Sequence, residues 1–153
     1  MSKKSNSPLL WVGITVAVLW GFNTLVSAFN NRIQFGTIKM KFRGVTTSFG
    51  LLLDVVMPIQ NLNPITISLE DFRGEIWYGP VRIVTVDQRN PVTLAANSTT
   101  NYQMEAEIDT GKLAADIKAQ ILSKNFLQAF FLKGTMRVGS INVPVNEQIT
   151  VLF

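Results

Sequence analysis

The sequence predicts an antiparallel β-sandwich with one amphipathic helix late in the chain and one hydrophobic helix at the N-terminus. Three observations lead there. After residue 33, apolar and polar residues alternate through several stretches, the period-two pattern of strands with one face on a core. Turn signals ("NPI" at 63, "YGP" at 78, "QRNP" at 88, "AANST" at 95, "VGSIN" at 138) separate them at roughly ten-residue spacing, the rhythm of a sandwich. Residues 8–29 run for 22 positions without a charge. The chain therefore divides into a basic tail (1–7), a hydrophobic segment (8–30) and a folded domain (31–153).

The hydrophobic segment, "PLLWVGITVAVLWGFNTLVSAF", would be about 33 Å long as a helix, enough to cross a bilayer core of about 30 Å. Lys3, Lys4 and the terminal amine favour a cytoplasmic N-terminus and a folded domain outside, periplasmic or extracellular. Two alternatives stand beside this single-pass anchor. One is a cleaved signal peptide ending at "VSA". The other is a hydrophobic helix buried in a large assembly such as a virion. Gly13, Ala17, Gly21, Thr24 and Ala28 recur at three- and four-residue spacing, with Asn23 beside them. Such a stripe admits a close-packed second helix, from another copy or a partner protein.

In the domain, Ile38, Met40 and Phe42 alternate with Lys39, Lys41 and Arg43. Phe72, Gly74, Ile76 and Tyr78 alternate with Arg73, Glu75 and Trp77. Tyr102, Met104, Ala106 and Ile108 alternate with Gln103, Glu105 and Glu107. Leu132, Gly134, Met136 and Val138 alternate with Lys133, Thr135 and Arg137. The pattern breaks over residues 109–125, where Leu113, Ile117 and Ile121 fall one turn apart. A helix is expected there, with Asp109 as N-cap and Lys118 and Lys124 toward its C-terminal end.

Composition narrows the chemistry. The net charge is +4, but Lys3 and Lys4 leave the domain with 12 basic and 10 acidic residues, interspersed rather than clustered. Nucleic-acid binding is not expected from that distribution. The chain has no cysteine and no histidine, which removes thiolate nucleophiles, Ser-His-Asp catalysis and nearly all zinc sites. No catalytic, cofactor or metal residue is assigned. Glu105, Glu107 and Asp109 read as an outward strand face. Asp54 reads as an outward residue of an edge strand. Trp77 and Tyr78, beside Gly79-Pro80, are candidate surface contacts for lipid or a partner. Asn97-Ser98-Thr99 is an N-glycosylation acceptor pattern of the kind that also arises by chance. In "QNLNP", Asn61, Asn63 and Pro64 read as a strand corner stabilised by side-chain-to-backbone hydrogen bonds. Pro58, unable to donate to a ladder, marks a strand edge or bulge.

The order of these elements resembles the atypical late embryogenesis abundant family of type 2, the water-stress and hypersensitive-response domain. The resemblance spans residues 33–153. Its specific parts are "QNLNPITISLEDFRGEIWYGPVRI", "VTLAANSTTNYQMEAEI", the late helix, and a closing pattern carried by Gly134, Val138, Gly139, Val143, Pro144 and Val145. Where the family shows Asn-Pro-Asn, this chain has Leu62 between Asn61 and Asn63, and its proline one step later. The resemblance implies an immunoglobulin- or fibronectin-III-like sandwich of seven or eight strands, often behind a membrane anchor. It also implies a role in stress tolerance, membrane association or lipid binding. The expected function is a non-enzymatic, membrane-anchored protective or binding module, with an apolar ligand admitted at an open end under the late helix. The alternative is a structural subunit of a pilus, secretion machine or virion.

Overall fold

The computed structural model describes residues 32–152. Among them are nine strands: β1 (Ile33–Phe35), β2 (Ile38–Val45), β3 (Gly50–Asn61), β4 (Ile67–Tyr78), β5 (Val81–Gln88), β6 (Val92–Leu94), β7 (Ser98–Asp109), β8 (Phe130–Val138) and β9 (Ile141–Leu152). The count exceeds the expected seven or eight because β1 and β6 are three-residue strands that extend the edges of longer neighbours. One helix, α1 (Ala115–Leu122), lies between β7 and β8. No helix of the described residues is long and apolar enough to cross a membrane. The hydrophobic segment and its stripe of Gly13, Ala17, Gly21, Asn23, Thr24 and Ala28 lie outside the described residues.

The strands form one continuous sheet in the order β1–β3–β2–β9–β8–β4–β5, with β6 added to β4 and β7 to β3. Every pairing is antiparallel except β2 with β9, where Ile38–Lys41 run parallel to residues 149–152. That join lets β7, β3, β1 and β2 fold over β9, β8, β4, β5 and β6, giving an all-β, sandwich-like domain. β5 and β7 meet across the opposite side with no ladder between them among the described residues. The predicted alternations hold. Leu51, Leu53, Val55, Met57 and Ile59 of β3 are buried, and burial of such side chains contributes about 1.5–3 kcal/mol each. Their inward neighbours are Met40, Phe72, Ile76, Met104, Ile108, Leu132 and Met136.

Three local expectations change. β3 is a central strand, paired over its whole length with β7 and on its other edge with β1 and β2. Pro58 therefore lies inside a sheet rather than at an edge or bulge. It is tolerated because its carbonyl accepts from Gly36 (2.8 Å) in the break between β1 and β2, and a residue's N–H faces the same edge as its C=O. The missing donor thus falls where the ladder is already interrupted. Asp54 is outward as expected but also central. It lies 3.4 Å from Arg43, which bonds Glu105 at 2.9 Å, so one guanidinium joins outward residues of β2, β3 and β7.

The helix is shorter than residues 109–125. Asp109 caps a 3-10 turn at Thr110–Lys112, accepting from the Gly111 N–H, rather than α1 itself. Leu113 and Ala114 are extended, and α1 begins only after them. Lys124 lies beyond the helix with φ +55°. There the Lys124 N–H donates to Ile121 O (3.2 Å) and the Asn125 N–H to Gln120 O (3.1 Å), a Schellman closure. Lys124 thus serves the helix end through its backbone.

Candidate functional site

The "QNLNP" corner is built from buried amides. Asn61 is fully buried, at 0% exposure. Its Nδ2 donates to Ile65 O (2.9 Å), Leu94 O (3.1 Å) and Ala95 O (3.1 Å). Its Oδ1 accepts from the Asn63 backbone N–H (3.0 Å) and from Asn63 Nδ2 (3.1 Å). The Asn63 carbonyl in turn accepts from the Asn97 N–H at 3.1 Å, with Asn97 at φ +50°. One side chain thereby fastens the β3–β4 corner to the β6–β7 loop. Asn61 and Asn63 are brought together as the sequence suggested, and Pro64 is exposed beside them. Their hydrogen-bonding capacity is directed at the backbone.

Trp77 lies on the outward face, half-buried. Its Nε1 donates to Glu75 at 3.2 Å, and the Lys133 ammonium sits 4.7 Å from its ring centroid, a cation–π arrangement. Tyr78 corrects the expectation of a surface contact, since it is only 2% exposed. Alternation along β4 places it inward, among Phe126 and Phe130. Its hydroxyl donates to Gln120 of α1 (2.5 Å) and accepts from the N–H groups of Leu127 (2.8 Å) and Gln128 (3.1 Å). Phe42 stacks on Phe126 with centroids 5.6 Å apart. The helix and the loop that follows it are thus tied to the core through one phenol.

The outward face of β8, β4 and β5 carries a row that sequence reasoning missed. Arg137 Nη2 lies 2.9 Å from Asp71, Arg73 Nε lies 3.9 Å from both Asp71 and Asp87, and Arg89 holds Asp87 at 2.6 Å. The hydrogen bond from Arg89 keeps the Asp87 carboxyl below its ordinary range. Asp71, Arg73, Thr135, Arg137 and Asn142 border a cleft of about 250 Å³. Its chemistry is that of a polar niche, able to hold a small polar or anionic group by guanidinium donors. Among the described residues no group of three His, Cys, Asp or Glu side chains is placed to hold a metal. A signal was present in the sequence: apolar residues in "LEDF" are three apart, Leu69 to Phe72, and the ladder shifts register there. That bulge turns Asp71 outward beside Arg137.

Behind this row lies Tyr102, 1% exposed on β7, whose hydroxyl has no hydrogen-bond partner. Burial, and then the nearby Asp71 charge, push its pKa up to about 12. Because the folded value is raised above 10, stability from the neutral phenol is full below pH 10 and is lost as pH rises toward about 12. Tyr102→Phe is expected to raise stability by about 1 kcal/mol and to flatten that alkaline loss. Urea titrations from pH 7 to 11 measure both, and a less stable variant would reveal a partner for the hydroxyl.

The fold and its outer faces define an all-β, sandwich-like domain laced by cross-strand ion pairs, with one amide-locked corner. The family model for late embryogenesis abundant proteins matches residues 56–149, and the chain belongs to that family, type 2. Among solved structures it is similar to a protein from Archaeoglobus fulgidus, at 14% identity and TM-score 0.55, over 75% of this chain and 92% of that one. It is also similar to an X-ray structure of a Northeast Structural Genomics Consortium target, at 16% identity and TM-score 0.50, over 79% and 88% of the two chains. At such identities the likeness is one of fold alone. No curated protein matches the chain.

Proposed function

We propose that this protein is a non-enzymatic protective or binding module, held on a membrane by residues 8–29 with its folded domain on the non-cytoplasmic side. The atypical water-stress and hypersensitive-response subgroup and an immunoglobulin- or fibronectin-III-like sandwich belong to the same reading. The observation that carries it is an adjacency: 22 uncharged positions directly precede a domain of a stress-associated family. An amphiphilic ligand would enter at the unladdered side between β5 and β7, where Ile83, Val84 and Leu113 line a cavity of about 470 Å³ together with the polar side chains of Arg82, Thr85, Glu107, Asp109 and Lys112.

A second reading, a subunit of a larger assembly, rests on the small-residue stripe from Gly13 to Ala28. Membrane fractionation with N-terminal sequencing separates the two. The anchored module is expected in the carbonate-resistant membrane fraction with its N-terminus intact. Full-length protein recovered as a defined soluble oligomer would favour the assembly. A mature N-terminus at Phe29 would establish a cleaved signal and overturn both.

A further inference from the structure

The two ends of the domain differ in charge, and the chain enters at the one whose tip loops carry no charge. Arg32 lies beside the β3–β4 corner, where its carbonyl accepts from the Leu62 N–H at 2.8 Å. The β6–β7 loop joins the same end through the Asn97–Asn63 bond, and the β8–β9 turn through the Gly139–Ser68 bond. The connecting residues there, 62–66, 95–97 and 139–140, contain no aspartate, glutamate, lysine or arginine. Arg32 supplies a cation, and Leu62 (37% exposed) and Ile65 (58% exposed) project from the corner. At the other end, about 40 Å away along the 12 residues of β3, the turn and helix region carries Asp109, Lys112, Asp116, Lys118 and Lys124 beside exposed Val45, Phe49, Leu122 and Leu127, so charge and the entry of the chain, not apolar exposure, set the two ends apart.

The tether between this end and the hydrophobic segment is short. The hydrophobic stretch ends at Phe29, three residues before Arg32, and three residues span at most about 11 Å. A domain hung so close to a bilayer must present its Arg32 end to the headgroup layer. Exposed aliphatic side chains gain from the acyl boundary, while carboxylates there would be repelled by anionic lipid.

We propose that the Leu62–Ile65 corner docks onto the surface of the bilayer that holds residues 8–29, with Ile65 and Leu62 at the acyl boundary and Arg32 among the phosphates. The inference rests on the anchored reading above and adds an orientation: the strands stand away from the membrane, and the end bearing α1 points outward. The corner that the asparagines lock thereby becomes a membrane contact through its apolar residues.

The absence of cysteine makes the test direct. Full-length Ile65→Cys and Phe49→Cys variants, each labelled with an environment-sensitive fluorophore, are reconstituted into phosphatidylcholine–phosphatidylserine vesicles. Phe49 is 77% exposed at the opposite end and reports the water-facing limit. The expected result is blue-shifted emission at position 65, quenched by nitroxide lipid, with neither change at position 49. Adding Leu62→Asp in the Ile65→Cys background should reverse the shift. Equal water exposure at both positions, in protein that floats with the vesicles and resists carbonate, would overturn the docking and leave the anchor standing. Immersion of position 49 instead would overturn it in favour of the opposite end. Failure to float with the vesicles would overturn the anchor and the docking together.

Discussion

Replacing Gly134 with alanine is expected to destabilise the domain by about 3 kcal/mol. Gly134 on β8 faces Gly74 on β4, and the Phe72 ring lies over the pair. A Cβ on Gly134 would stand 2.4 Å from Arg73 O, 2.6 Å from Gly74 Cα and 3.0 Å from Phe72 Cζ. The first two are backbone atoms of the neighbouring strand, so no rotamer change relieves them. The strands must move apart, or Phe72, buried at 0% exposure, must leave its place. Gly44→Ala is the control, since a Cβ there meets nothing within 4 Å, and it should be near neutral. Urea unfolding of the variants measures the difference. Adding Phe72→Leu to Gly134→Ala should not restore stability, because the nearest clash is with backbone. Full recovery would place the strain in the ring instead.

Asn61→Ala is expected to cost about 3 kcal/mol as well, by leaving several backbone groups without their partner in a buried corner. Truncation strands Ile65 O, Leu94 O and Ala95 O together with the Asn63 N–H. Asn61→Asp keeps the shape but sets a carboxylate against three carbonyl oxygens, so it should be at least as damaging. Asn63→Ala removes only one side-chain donor to Asn61 and should cost about 1 kcal/mol. Thermal melts establish the order Asn61 before Asn63. A loss of membrane or ligand binding in Asn61→Ala at unchanged melting temperature would contradict the purely structural role assigned to Asn61.

These two residues show how far local pattern reaches. "QNLNP" was legible as a corner because Asn-x-Asn-Pro is turn chemistry written within five residues. That Asn61 is a buried anchor was not legible, because two of its acceptors, Leu94 O and Ala95 O, come from 33 and 34 residues away. Gly134 belonged to a recognisable closing pattern, yet its need for a bare backbone arises only when β8 meets β4. Tyr78 shows a conflict between two local signals. Its place beside Gly79-Pro80 suggested exposure, whereas alternation along β4 pointed inward, and burial followed the alternation. Asp54 was placed on the correct face and the wrong strand position, because face is set by period and position by neighbours.

Local pattern alone carries the all-β class, the inward faces of β2, β4, β7 and β8, the existence of one late helix and the family. Each of these is carried by side-chain periodicity, or by residue types within a few positions of one another. Packing of the whole chain settles that β2 pairs in parallel with β9, that β3 is central, and that Asp71, Arg73, Asp87 and Arg137 form one row. It also settles that the uncharged loops gather at the end where Arg32 enters. The physical reason is that a strand's faces follow from its own alternation. Its partners follow from closing one core with residues from both ends of the domain, and no short window of sequence contains that choice.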